Sequence, residues 1–370
     1  MTSEDRGDLQ YWVLGGRVVA SRLFLYYNFL MEPVILVAIL VVAIALFFDF
    51  TNGFNDSANQ VATIIFSRAL DPGVALLIAA IANFFGAYFL GTAVAQTIGS
   101  GIVDPRALIE GASGILVVFA ALIGAICWNI ISWYVGIPSS SSHSLIGGLV
   151  GAFLFGWGPE LINWTKVELI IVIMTASPII GFIATYIFTQ ITLVFSQWFS
   201  PKINNVFKKL QIVSLITQAL SHGTNDGQKT MGVITFSLVI LGLYSPSVSG
   251  NMEIPGWVIV ACATAIALGT LVGGKRIIKK LGSGLYKIRP IHGFASQVAS
   301  TVVIYMASVF GFPVSTTQVI SSAVMGAGAA FRPKMIRWQI AQDIVVVWFV
   351  TIPVTGLVAG LSYLVLNKIF

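Results

Sequence analysis

The chain has 370 residues, of which 57% are hydrophobic and only 9% charged, with a formal net charge of +6. Soluble domains carry about 25% charged residues. The composition therefore excludes a soluble globular fold and points to an all-α polytopic membrane protein, multi-pass in the cell membrane. So small an excess of positive charge does not suggest a nucleic-acid partner.

In chain order, residues 1–30 mix Arg17 and Arg22 with Trp12, Phe24, Tyr26 and Tyr27, which predicts an N-terminal interfacial helix. They lack an apolar core ending in a small-residue cleavage site, so no cleavable signal peptide is expected. A first transmembrane repeat is expected over 31–198, with apolar stretches at 33–67, 73–99, 110–135, 137–157 and 168–198. A short basic cytoplasmic connector follows over 199–210. A second repeat over 211–370 has stretches at 211–243, 256–274, 291–311, 313–331 and 339–366. Most are long enough for a crossing of roughly 20 residues. Cys127 and Cys262 lie within apolar runs and read as small packing residues.

The first stretch contains a polar run, Asn52-Gly53-Phe54-Asn55-Asp56-Ser57-Ala58-Asn59. A carboxylate among amides at membrane depth is costly unless it lines a cavity or holds an ion. Gly53 and its polar neighbours suggest that the helix is interrupted there. The run recurs as Ser221-His222-Gly223-Thr224-Asn225-Asp226-Gly227-Gln228, at an offset of 170 (225 − 55). Such duplication is the mark of a transporter built from internal repeats. Carboxylates and amide oxygens are hard ligands, so Asn52, Asn55, Asp56, Asn59, Asn225 and Asp226 are candidate sodium ligands, the metal charge resting on Asp56 and Asp226. The alternative is that both aspartates are protonated or hydrogen-bonded packing residues.

The fourth stretch of each half has a polar head. One begins Ile137-Pro138-Ser139-Ser140-Ser141-Ser142-His143 and the other Pro313-Val314-Ser315-Thr316-Thr317-Gln318. Gly136-Ile137-Pro138 aligns with Gly311-Phe312-Pro313 at an offset of 175 (311 − 136). The small-residue tails are short, which predicts discontinuous or re-entrant segments packed against other helices. Helix starts rich in hydroxyls offer N–H donors and a positive dipole end to an oxyanion. Ser140, Ser141, Ser142, Ser315, Thr316 and Thr317 are therefore candidate anion ligands, with ordinary helix capping as the alternative. Asn83 and Gln297, isolated in apolar surroundings, either join them or bond between helices. Lys229, after the second Asn-Asp pair, reads as a snorkelling lysine, with approach to an anion as the alternative. His143, His222 and His292 have no metal-ligand spacing, so no zinc site is expected. Asp49, Asp104 and Asp343 lack duplicates and read as structural.

Lysine and arginine placement orients the chain. Keeping Lys202, Lys208 and Lys209 on the same side as the basic cluster from Lys275 to Arg289 gives about ten crossings, inverted halves and both ends outside.

At these residues the sequence resembles the PiT family of inorganic phosphate transporters. The resemblance rests on Gly53-Phe54-Asn55-Asp56-Ser57-Ala58-Asn59, on Gly223-Thr224-Asn225-Asp226-Gly227-Gln228-Lys229, and on the paired heads ending at His143 and Gln318. It implies sodium- or proton-coupled phosphate symport by an inverted-repeat membrane protein, with sodium as co-substrate, no cofactor and no enzymatic activity. Some members have glutamates near the positions of Asn83 and Gln297; amides here favour sodium over protons. Lys229 replaces the Asn59 of the first motif, so the halves are not equivalent. The expected partners are phosphate, sodium and the lipid bilayer, and the chain could form a homodimer. A proton-coupled phosphate or sulfate permease of the same fold is the closest rival. A hydrolase using a serine of 139–142 with His143 is disfavoured, because no orienting acid accompanies them.

Overall fold

In lipid, backbone groups must be satisfied within their own segment, and the apolar stretches all resolve as helices. The structure is a computed structural model describing residues 3–108, 113–200, 202–245, 252–274, 277–279 and 286–370; before Pro33, and at 106, 107, 113 and 335, it describes the backbone only. The helices are α1 (Ser3–Phe66), α2 (Pro72–Phe89), α3 (Ala93–Gly101), α4 (Ser113–Val135), α5 (Ser141–Trp157), α6 (Trp164–Ser196), α7 (Ile203–Ile240), α8 (Gly256–Val272), α9 (Pro290–Val309), α10 (Thr316–Phe331) and α11 (Trp338–Ile369). No strand occurs among the described residues.

The chain divides into two compact units, Met1–Ala43 and Ile44–Phe370. In the first, residues 3–30 are helical, and the interfacial placement expected for them rests on side chains outside the described residues. All that follows concerns the second unit.

Several boundaries differ from the sequence expectation. The 73–99 stretch is two helices, because Gly91 at φ 98° turns the chain between α2 and α3. Lys208 and Lys209 lie on α7 rather than in a connector, since that helix begins at Ile203. The interruption expected at Gly53 is not there: α1 passes through it unbroken, and α7 does the same at Gly223. These glycines serve close approach instead. A Cβ at Gly53 would overlap the carbonyl oxygen of Ile266, and one at Gly223 that of Asn83.

The interruptions fall at the two polar heads. Gly136 and Gly311, at φ 72° and 73°, end the preceding helices. Pro138 and Pro313 prevent their continuation. Ser140 then caps α5 by accepting from the N–H of His143 at 3.1 Å, and Ser315 caps α10 by accepting from that of Gln318 at 3.3 Å. Beyond its head each segment is a single helix running antiparallel to its predecessor. Ser139 donates to Ser132 at 2.7 Å near the head, and Gly148 and Gly156 lie against Ala121 and Val117 further along α4. The ring of Phe331 likewise reaches His292, at the far end of α9, with centroids 5.0 Å apart.

The terminal helix of each half packs on the other half. α11 lies on α4 and α5, and α6 lies on α9 and α10. Ile179, Ile187, Phe349 and Leu361 on these clasping helices are exposed, as lipid-facing residues should be. Beside a buried apolar core that includes Ile64, Leu215 and Ile344, the interior holds an extensive buried polar network. Its axis is the crossing of α1 and α7. Ser67 donates to Gln211 at 2.6 Å, Asp56 meets His222 at 3.5 Å, and Asp49 lies beside Thr230. As α1 descends in number α7 ascends, so the two run antiparallel.

Candidate functional site

The antiparallel crossing brings the duplicated aspartates to one place. Asp56 and Asp226 are both fully buried, on helices from opposite halves. The head of α10 lies against them. Thr316 Oγ1 stands 2.7 Å from Asp226 Oδ2 and 3.3 Å from Asp56 Oδ2. A hydroxyl has one proton, so Thr316 can donate to only one carboxylate at a time. Thr317 donates to Asp56 Oδ1 at 2.7 Å, and Asn59 Nδ2 donates to the same oxygen at 2.9 Å.

Two residues left outside the candidate set by sequence complete the centre. His222 Nε2 lies 3.0 Å from Asp226 and 3.5 Å from Asp56, while Nδ1 faces Asn83 Oδ1 at 3.1 Å. Both ring nitrogens thus face acceptors. Asp56, His222 and Asp226 present ligand atoms within 4.8 Å of one another, a grouping able to hold a cation. Lys229 does not snorkel. Its side chain is buried; Nζ pairs with Asp226, donates to Ser142 Oγ at 2.5 Å and to the carbonyl of Val314 at 2.9 Å. A buried ammonium needs such partners to offset its desolvation. The signal for both was in the spacing: His222 and Lys229 stand four before and three after Asp226, on its helical face.

The heads of α5 and α10 meet here. Ser142 donates to the carbonyl of Val314 at 2.9 Å, and Gln318 Nε2 lies 3.2 Å from His143 Nε2. The N–H groups of Ser141, Ser142, Thr316 and Thr317 belong to first turns, which intrahelical bonding leaves unused. Ser140 and Ser315 are spent on capping. A cavity of about 450 Å³ between α6, α10 and α11 reaches these heads, with His143, Gln318 and Ser322 among its lining.

The remaining predicted residues fall in different places. Asn225 braces the head of α10, donating to Ser308 at 2.9 Å and to the carbonyl of Phe312 at 3.2 Å, whereas Asn55 donates to the carbonyl of Asn129 within α4 at 3.0 Å. Asn83 backs the site, donating to Gln60 at 3.1 Å and Thr270 at 2.9 Å while its oxygen holds His222. Gln297 lies apart. It accepts from Ser214 at 2.7 Å, twelve residues before Asp226 on α7, or about 18 Å along the helix. Asn52 is buried among these helices, and Oδ1 of Asn52, Asn55 and Asn59 has no hydrogen-bond donor.

The chain is similar to known proteins. The Phosphate transporter family matches residues 52–200 and 193–359. A probable low-affinity inorganic phosphate transporter of Bacillus subtilis is 42% identical over 341 residues, covering 92% of this chain and 100% of the relative. A protein of the same description from Rhizobium meliloti is 42% identical, covering 87% of this chain and 94% of its own. A solved structure of a sodium-dependent phosphate transporter superposes with a TM-score of 0.79 at 24% identity, over 90% of this chain, and shares the fold. With a duplicated Asn-Asp centre between two hydroxyl-rich helix starts, and a family match spanning most of its length, this chain belongs to the phosphate transporter family.

Proposed function

We propose that this protein carries inorganic phosphate across the cell membrane together with sodium, by alternating access between two inverted repeats. The observation that carries the reading is the shared hydroxyl of Thr316, which ties the anion-type head of α10 to both carboxylates.

Phosphate carries one to two negative charges at neutral pH, and bringing it alone into a membrane interior costs many kcal/mol. Sodium at Asp56 and Asp226 would offset that charge, with the donor-free amide oxygens of Asn55 and Asn59 nearby. Sodium ligation would also change what the hydroxyls do. Thr316 and Thr317 now donate to the carboxylates. Once a cation takes those oxygens, the hydroxyl protons can turn to phosphate, alongside Ser142 and the first-turn N–H groups of α5 and α10. Lys229 supplies a positive charge beside Ser142. Each ligand thereby prepares the other's site, and the coupling must be reciprocal. The antiparallel crossing of α1 and α7 and the exchanged clasps of α6 and α11 support inverted repeats. Access would alternate as α5 and α10 rock with their clasping helices against that crossing.

His222, between the two acids, favours a second reading in which protons replace sodium. Uptake into proteoliposomes separates them. Phosphate uptake should rise with an inward sodium gradient at fixed pH. A response to the pH gradient alone selects proton coupling, and no response to either rejects coupled transport. Competition by unlabelled sulfate tests the anion.

A further inference from the structure

The offset of 170 between the Asn-Asp motifs pairs Asn52 with His222 (222 − 52), Asp56 with Asp226 (226 − 56) and Asn59 with Lys229 (229 − 59). The offset of 175 between the heads pairs Ser142 with Thr317 (317 − 142). The side chains obey the same correspondence. Asn59 Nδ2 donates to Asp56 Oδ1 at 2.9 Å and to Thr317 Oγ1 at 3.1 Å. Lys229 Nζ pairs with Asp226 Oδ1 and donates to Ser142 Oγ at 2.5 Å. Each of these residues, three positions after its aspartate, joins that carboxylate to a hydroxyl at the head from the other half.

The matched positions differ in what they leave unmet. In the first motif Asn52 and Asn59 are buried, and Oδ1 of each has no donor. In the second, both counterparts bring nitrogen to Asp226: His222 Nε2 at 3.0 Å and the ammonium of Lys229. An amide oxygen can ligate a cation, whereas an ammonium has three donors and no acceptor and can only stand in for one. The carboxylate of Asp226, the hydroxyl of Ser142 and the carbonyl of Val314 around Nζ are the hard oxygens that a small cation would take. We propose that Lys229 is the built-in cation of the second half, standing where symmetry with the first motif calls for an ion, so that the exchangeable sodium of the central pair of aspartates is held from the Asp56 side. The ammonium stays with the protein whichever way the site faces. Each cycle therefore carries one cation fewer through the centre than two matched amide motifs would carry. The inference rests on the sodium-coupled reading above.

Equilibrium binding of radiolabelled sodium to the purified full-length chain tests it, in the wild type, Lys229→Asn and Lys229→Arg. Lys229→Asn brings in the amide found at residue 59 and is expected to bind one sodium ion more per chain than the wild type. Its thermal midpoint, lowered by loss of the ion pair, should climb with sodium chloride but not with equal choline chloride, and further than that of the wild type. Lys229→Arg keeps the charge and should keep the wild-type count. A lysine that only braces the fold would lower the midpoint of Lys229→Asn without adding an ion. Where the wild type binds sodium, an unchanged count in Lys229→Asn, or an added ion in Lys229→Arg, overturns the assignment and leaves sodium coupling standing. Should Lys229→Asn fold too poorly to purify, the count in Lys229→Arg decides. Sodium bound by neither the wild type nor Lys229→Asn overturns the coupling itself, and the assignment with it.

Discussion

His143 and Gln318 occupy matching positions in the two halves, at an offset of 175 (318 − 143), and their side chains meet at 3.2 Å. Residues far apart in the chain thus mark where the two helix starts face each other. The chemistry proposed for the centre depends on that meeting.

The carboxylates are expected to be indispensable to coupling. Hydrogen bonds to charged groups are worth about 1.5–3 kcal/mol each. Asp56→Asn and Asp226→Asn should therefore lower phosphate affinity in sodium by roughly 10- to 150-fold. Isothermal titration with phosphate, with and without sodium, checks this. Binding that survives both substitutions with its sodium dependence intact would remove the aspartates from the site.

Lys229 and Asp226 should behave as one unit. Removing one partner of a buried ion pair costs about 3–5 kcal/mol, whereas replacing both is often tolerated. Lys229→Met should lower the thermal midpoint of the purified protein sharply. Lys229→Met combined with Asp226→Asn should recover much of that stability and still fail to transport. Additive losses in the double variant would show that the pair does not act jointly.

Thr316 is the donor shared between the acids. Thr316→Val keeps the shape and removes the proton. It should weaken phosphate binding by about tenfold, the loss of one charged hydrogen bond. Thr316→Ser should restore it, and the ratio of the two variants is read from uptake kinetics at saturating sodium.

The glycines at the crossings are expected to be intolerant of any side chain. Gly53→Ala and Gly223→Ala would each push a methyl group into a backbone carbonyl, of Ile266 and Asn83 respectively. Overpacking of this kind costs about 1–3 kcal/mol. Both variants should unfold earlier in detergent, whereas Gly73→Ala, which meets nothing within 4 Å, should not.

The helical membrane architecture was legible because composition and apolar run length alone demand it. The duplicated Asn-Asp and Ser/Thr segments stood out for the same reason: polar residues are costly in lipid and must have a use. Their meeting is visible only in the fold, where α1 crosses α7 and the head of α10 lies against both aspartates. Gly53 misled because a glycine within a polar run reads equally well as a break or as a point of close packing, and only the neighbouring helix decides. Lys229 misled because burial of a lysine depends on acceptors from three separate segments, here Asp226, Ser142 and Val314. Gln297 looked equivalent to Asn83 from its apolar surroundings, yet hydrogen-bond partners on other helices send the two side chains to different networks.

The exchange of α6 and α11 between the halves has a consequence for biogenesis. While the first half is being made, α5 has α4 beside it but lacks α11, since the helix that seals it is translated far downstream. The nascent chain must therefore hold a short hydroxyl-headed helix unsealed in the bilayer until its C-terminal partner arrives. Severing the chain between α6 and α7 should leave two fragments that are each degraded alone and stabilised when made together.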